Sequence, residues 1–122
     1  MGLDMYAYRV KADSVIDDFH YNKDDLNTEE IYYWRKHHQL HNWMLDLYRK
    51  KGGTDRNFNC IPLRLTINDL EDLKEDLNEI HNVMDFADEE DYIEAKHNDM
   101  KFIVQAKNII EAGDAVYYDS WW

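Results

Sequence analysis

The sequence predicts an α+β fold in which about three helices pack on a small, mainly antiparallel sheet. Leucines recur at spacings of three and four over residues 66–84, which is typical of the buried face of a helix. Both residues 3–10 and residues 115–122 are rich in aromatic side chains, which favours strands, and we expect these two strands to pair. The 122 residues contain one Pro and four Gly and suit a single domain over residues 1–122.

The first half of the chain predicts a strand, a loop and a helix. Residues 3–10 form the strand, and residues 11–27 form a loop with a short helical turn near Val15, Ile16 and Phe19. Helix one is predicted over residues 28–51, because Asn27 or Thr28 can cap its start and Gly52 and Gly53 can end it. Its apolar stripe is Tyr33, Leu40, Met44 and Leu47, flanked by Trp43 and Tyr48.

The second half predicts a short strand, two helices and a final strand. Residues 58–65 form the strand, and Pro62 makes it an edge strand or gives it a bulge because proline lacks a backbone N–H. Thr66 caps helix two, residues 85–91 form an acidic break, and Gly113 ends helix three, which covers residues 92–112. The residues expected to face inward are Leu70, Leu73, Leu77, Ile80 and Met84 in helix two, and Ile93, Phe102, Ile103, Ala106, Ile109 and Ile110 in helix three.

Charge is unevenly spread in this chain of net charge −12. Residues 66–99 hold 13 acidic and two basic residues, a net charge of −11, whereas residues 34–64 hold seven basic and two acidic residues, a net charge of +5. The negative field disfavours direct nucleic-acid binding. The single cysteine suits a reducing cytoplasm, and the chain has no apolar run long enough for a membrane span.

Two groups of side chains could carry chemistry. His37 and His41 lie one helical turn apart and could share a metal ion if His81 or Asp46 supplied another ligand. The simpler interpretation is a packed, hydrogen-bonded His41, with His37 and His38 facing solvent and no metal. Cys60 lies between apolar neighbours, which indicates a buried, inert thiol rather than a nucleophile. The sequence therefore predicts no catalytic residues, no metal and no cofactor, and an enzyme is the weaker alternative.

Three segments resemble a group of small, uncharacterised phage and prophage proteins. They are the opening MGLDMYAY, the stretch YWRKHHQLHNWM at residues 33–44, and NCIPLRLTINDLEDLKEDL at residues 59–77. The second is similar to a YWRK pattern followed by His and Trp, and it matches at Tyr33, Trp34, Arg35, Lys36, His41 and Trp43. His37 and His38 depart from that pattern. The resemblance implies a phage context and no particular activity.

The basic, aromatic stretch at residues 29–51 is the predicted functional surface. Trp and Arg are the usual anchors of protein interfaces. We therefore expect a non-enzymatic interaction protein that acts on a host factor or forms a homodimer. The alternatives are an inhibitor that mimics nucleic acid through its acidic helices, and a small metal-dependent or hydrolytic enzyme that uses the helix-one histidines. The predicted partner-binding residues are Trp34, Arg35, Lys36, His38, His41 and Trp43.

Overall fold

The computed structural model describes residues 2–80 and 89–122. The described residues form an α+β fold, as predicted. The elements in chain order are β1 (Asp4–Val10), β2 (Val15–Asp17), β3 (His20–Tyr21), β4 (Glu29–Arg35), α1 (His38–Lys50), β5 (Leu63–Leu65), α2 (Ile67–Ile80), α3 (Glu89–Glu111) and β6 (Ala115–Trp121).

The main sheet has four strands in the order β4-β1-β6-β5, and all its neighbours are antiparallel. Strands β1 and β6 pair along their whole length, from Asp4 opposite Trp121 to Val10 opposite Ala115. The predicted pairing of the N- and C-terminal strands is therefore confirmed. Strand β5 lies at one edge, as Pro62 predicted, and β4 lies at the other.

The prediction of one helix over residues 28–51 is wrong in its first half. Residues 29–35 form β4, which pairs with β1, and the helix begins at His38. Ile31, Tyr32 and Tyr33 belong to residue types that favour strands, and pairing with β1 outweighs the capping signal at Asn27. Tyr33 consequently lies in a strand with its side chain exposed, and it does not belong to a buried helical stripe.

Two shorter segments also differ from the prediction. The expected helical turn near Val15 is a small hairpin in which β2 pairs with β3, preceded by a short 3-10 turn at Ala12–Ser14. The strand expected over residues 58–65 is limited to β5, because Cys60 has a positive φ of 59° that breaks the extended backbone. Cys60 is also exposed, so the expectation of a buried thiol is wrong.

Helices α2 and α3 follow the predicted periodicity over most of their length. Leu70, Leu73, Leu77 and Ile80 are buried in α2. Residues 81–88, with His81, Met84 and the first part of the expected acidic break, lie outside the described residues. Helix α3 includes residues 89–91, which were expected to belong to the acidic break, and acidic side chains in a first turn are favoured by the helix dipole. Its inward residues are as predicted except Ile93, which is exposed.

The helices cover one face of the main sheet. That face contributes Met5, Ala7, Val116 and Tyr118 to a core shared with the leucines of α1 and α2. The opposite face is covered in part by the β2–β3 hairpin, where Tyr21 packs on Tyr117 with ring centroids 4.8 Å apart. The rest of that face, here called the open face, carries Tyr6, Tyr8 and Tyr33, with Tyr6 and Tyr33 ring centroids 5.3 Å apart.

Candidate functional site

The chain turns sharply between β4 and α1. Lys36 adopts a positive φ of 56°, and its N–H donates to the carbonyl oxygen of Leu3 at 2.8 Å, which ties the turn to the start of β1. His37 then caps α1, because its Nδ1 accepts a 3.5 Å hydrogen bond from the backbone N–H of Leu40. The turn places the side chains of Trp34 to His38 around one corner of the molecule.

A buried carboxylate holds this corner against α3. Asp99 is 2% exposed, and it accepts hydrogen bonds from Trp34 Nε1 at 2.9 Å and from His37 Nε2 at 2.8 Å. Because His37 Nδ1 accepts from Leu40, the neutral His37 ring carries its hydrogen on Nε2 and donates it to Asp99. Both ring nitrogens of His37 therefore serve to position the strand, the turn and the helix, and the expectation that His37 faces solvent is wrong because its side chain is only 13% exposed.

A cleft of about 480 Å³ opens between this corner and α3. Trp34 and Tyr32 pack against each other in its wall, with ring centroids 4.6 Å apart, and Ala95 and Asn98 of α3 line the other side. The exposed basic side chains at its rim are Arg35, Lys36 and His38. We call Trp34, Arg35, Lys36 and His38 the basic corner.

His41 was predicted to bind a partner, but it belongs to a different part of the molecule. It is buried, its Nδ1 lies 2.6 Å from the Tyr118 hydroxyl, and its ring stacks on Phe58. Burial, with a smaller contribution from nearby His38, lowers the pKa of His41, while burial raises the pKa of Tyr118. A neutral phenol and a neutral imidazole thus form a core hydrogen bond, and the predicted packed role of His41 is confirmed.

Trp43 also lies away from the basic corner. Its Nε1 donates to Asp76 at 2.9 Å, across a second cleft of about 490 Å³ between α1 and α2. This cleft is strongly acidic, and the carboxylates in its lining are Asp46, Asp72, Glu75, Asp76 and Glu79. The structure therefore brings four of the six predicted residues together at the basic corner and separates His41 and Trp43 from them.

The histidine pair considered as a metal site does not converge. His37 is directed to Asp99 and His41 to Tyr118, which are different parts of the core. Within residues 2–80 and 89–122, no group of three or more His, Cys, Asp or Glu side chains is arranged to hold a metal ion. The described helices also include none that is long and apolar enough to cross a membrane.

Asp99, which organises the corner, is not among the residues predicted from the sequence. A signal for it exists, because Asp99 is three residues before Phe102 and four before Ile103, on the apolar stripe of α3. An acid at such a position is buried and therefore needs donors. Comparison with protein-family models, curated proteins and solved structures finds no match to this chain.

Proposed function

We propose that this protein is a non-enzymatic protein-interaction module whose basic corner binds an acidic segment of a protein partner in the cytoplasm. The observation that carries the proposal is unneutralised positive charge in an acidic protein. Some basic side chains elsewhere are paired, as Lys51 is with Asp69 and Lys107 with Glu71, whereas Arg35 and Lys36 are adjacent cations at the rim of an aromatic cleft. Among the described residues, Arg35 and Lys36 form no ion pair although the chain has a net charge of −12.

The aromatic wall supports the same proposal. Interfaces draw most of their binding energy from a few Trp, Tyr and Arg side chains that are held in place before binding. Trp34 is fixed by its hydrogen bond to Asp99 and by an edge-on contact with Phe102, whose ring centroid is 4.8 Å away. Tyr32 completes the wall, and Arg35 lies beside it. Trp34 is only 7% exposed and supports the wall from within the core, so the half-buried Tyr32 supplies the accessible aromatic surface next to the positive charge.

The enzyme alternative receives less support from the same geometry. A His–carboxylate pair resembles the base and orienting group of hydrolases, and His37 and Asp99 form such a pair. In those enzymes the second ring nitrogen faces the nucleophile. In this protein His37 Nδ1 instead accepts from the Leu40 backbone N–H, which suits a helix cap. We therefore assign this pair a positioning role.

The nucleic-acid mimic keeps a specific observation in its favour. The five carboxylates that line the cleft between α1 and α2, together with Lys50, give an acidic surface that suits a basic, DNA-binding host protein. This surface is separate from the basic corner, so the two proposals predict different sensitive residues. Reversing charge at Glu75 and Glu79 would weaken binding of a mimic's target and leave a partner of the basic corner unaffected.

The phage resemblance makes a bacterial host factor the first partner to test. We would capture proteins from a host lysate with the wild type, with Arg35→Glu/Lys36→Glu, and with Lys74→Glu/Lys101→Glu as a control of equal net charge. All four lysines and arginines are exposed. The proposal expects the partner to bind wild type and control, and to bind the corner variant at least about tenfold more weakly in calorimetry, about 1.4 kcal/mol. Equal binding by a folded corner variant would refute it.

A further inference from the structure

The outer edge of β4 has unpaired backbone groups. Strand β4 is the last strand on its side of the main sheet. The Lys36 N–H faces β1, where it donates to the Leu3 carbonyl oxygen. Because the backbone groups of successive residues point to alternate sides of a strand, the N–H and C=O groups of Trp34 also face β1. Tyr33 and Arg35 must therefore direct their N–H and C=O groups away from β1. No strand among the described residues pairs with them.

Helix α3 leaves this edge accessible. The cleft at the basic corner lies between α3 and Tyr32 to Arg35, and another cleft of about 420 Å³ lies between α3 and Glu29 to Ile31. Both halves of β4 thus border open space rather than packed side chains. An extended chain can reach the edge along most of the strand.

The charges of β4 complement themselves when the strand is reversed. Glu29 and Glu30 stand at its start, Arg35 stands at its end, Lys36 follows in the turn, and all four are exposed. In antiparallel pairing of two such strands centred on Tyr33, the turn residue Lys36 of one copy lies close to Glu30 of the other. Position 35 lies opposite position 31, next to Glu30. Unlike charges therefore meet at both ends, whereas parallel pairing would bring like charges together.

We propose that a second copy of this chain adds to the β4 edge, antiparallel to it, and joins the two main sheets into one continuous sheet. This inference rests on the proposed function, because it names the acidic segment that the basic corner binds as Glu29–Glu30 of the second copy. Tyr33, which is 45% exposed on the open face, would meet its own counterpart at the centre of the contact. Charges on an edge strand normally prevent such pairing, but in this order they favour one orientation.

The test is a charge swap followed by analytical ultracentrifugation. One variant is Glu29→Lys/Glu30→Lys, the other is Arg35→Glu/Lys36→Glu, and a third combines all four changes. Loss of Glu29 removes a 3.7 Å contact with Arg9, which keeps its 2.8 Å bond to Asp114, so all variants are expected to fold. Circular dichroism and thermal melting verify folding.

We expect wild type to form dimers at micromolar to millimolar concentration. Each double variant should dimerise at least about tenfold more weakly, because like charges now meet. An equimolar mixture of the two should form heterodimers, and the fourfold variant should regain dimers. A monomeric wild type, or a mixture that stays monomeric, overturns the inference. If wild type is monomeric but Arg35→Glu/Lys36→Glu still loses a host partner, the inference fails and the proposed function stands.

Discussion

Removing the Asp99 carboxylate is the sharpest test of how the corner is built. Asp99→Ala leaves two donors without their acceptor, Trp34 Nε1 and His37 Nε2, on side chains that are mostly buried. An unsatisfied buried donor costs about 1–3 kcal/mol, so the free energy of unfolding should fall by about 2–6 kcal/mol. For 122 residues the unfolding entropy is about 0.26 kcal/mol/K, so each kcal/mol lowers Tm by about 4 °C.

A loss of this size is a large share of the roughly 5–15 kcal/mol free energy of unfolding of a typical domain, so Asp99→Ala could prevent folding. A milder variant is therefore measured beside it. In Asp99→Asn the side-chain oxygen still accepts from Trp34, but the amide N–H₂ faces the His37 donor, and we expect about 1–3 kcal/mol. Trp34→Phe keeps an aromatic ring at this position but removes the Nε1 donor and part of the packed indole. Calorimetric melting of the single variants and of Trp34→Phe/Asp99→Ala gives the coupling energy of the pair.

If Asp99 holds the corner together, two results are expected from these measurements. Asp99→Ala must cost more than Asp99→Asn, and the Trp34–Asp99 coupling must be about 1–3 kcal/mol, as for a hydrogen bond to a charged group. A coupling below about 0.5 kcal/mol, within the usual error of additivity, would show that the indole and the carboxylate do not depend on each other. The rigid aromatic wall of the cleft would then lack its support.

Further predictions concern the core. Leu73 and Leu77 are 1% and 2% exposed, so Leu73→Ala or Leu77→Ala should cost about 2–5 kcal/mol in denaturant unfolding through the cavity that remains. The exposed control Glu75→Ala should stay within about 0.5 kcal/mol, and a cost below about 1 kcal/mol at both leucines would contradict the assigned face. The pKa of His41 is lower in the folded chain than in the unfolded chain, so as pH falls the unfolded chain binds a proton at His41 first. The contribution of His41 to the free energy of unfolding is therefore complete above about pH 6.5 and is lost as pH falls below it. Below this pH, the Tm of His41→Gln should change less with pH than the Tm of His38→Gln does. A His41→Gln variant whose Tm depends on pH as strongly as that of wild type would refute this.

The sequence could predict elements whose signal is local. Leu70, Leu73 and Leu77 are spaced as one helical face, and no distant partner is needed to recognise them. Residues 29–35 were wrongly predicted as helix because their aromatic side chains are compatible with a helix or a strand. Which of the two they form depends on pairing with β1, whose residues lie twenty or more positions earlier in the chain.

The candidate site could be predicted in part for the same reason. Trp34, Arg35, Lys36 and His38 are close in sequence, so composition alone marks them as a basic, aromatic group. Asp99 is 65 residues from Trp34, and its role appears once α3 is placed beside β4. His41 and Trp43 are equally close in sequence but turn into the core and toward α2, since the helix periodicity directs them to other faces.

The central position of β6 has a consequence for how the chain folds. Strand β6 lies between β1 and β5, and it follows the other described strands of the main sheet in the chain, so it leaves the ribosome after them. Until it arrives, β1 has β4 as its one partner in the main sheet, and the edge of β1 that pairs with β6 keeps its backbone groups unpaired. Pairing Asp4 with Trp121 closes a very long loop, which slows folding. The nascent chain therefore passes through a stage in which the helices can form but the main sheet is still incomplete. In this stage the chain is most prone to aggregation and to chaperone binding.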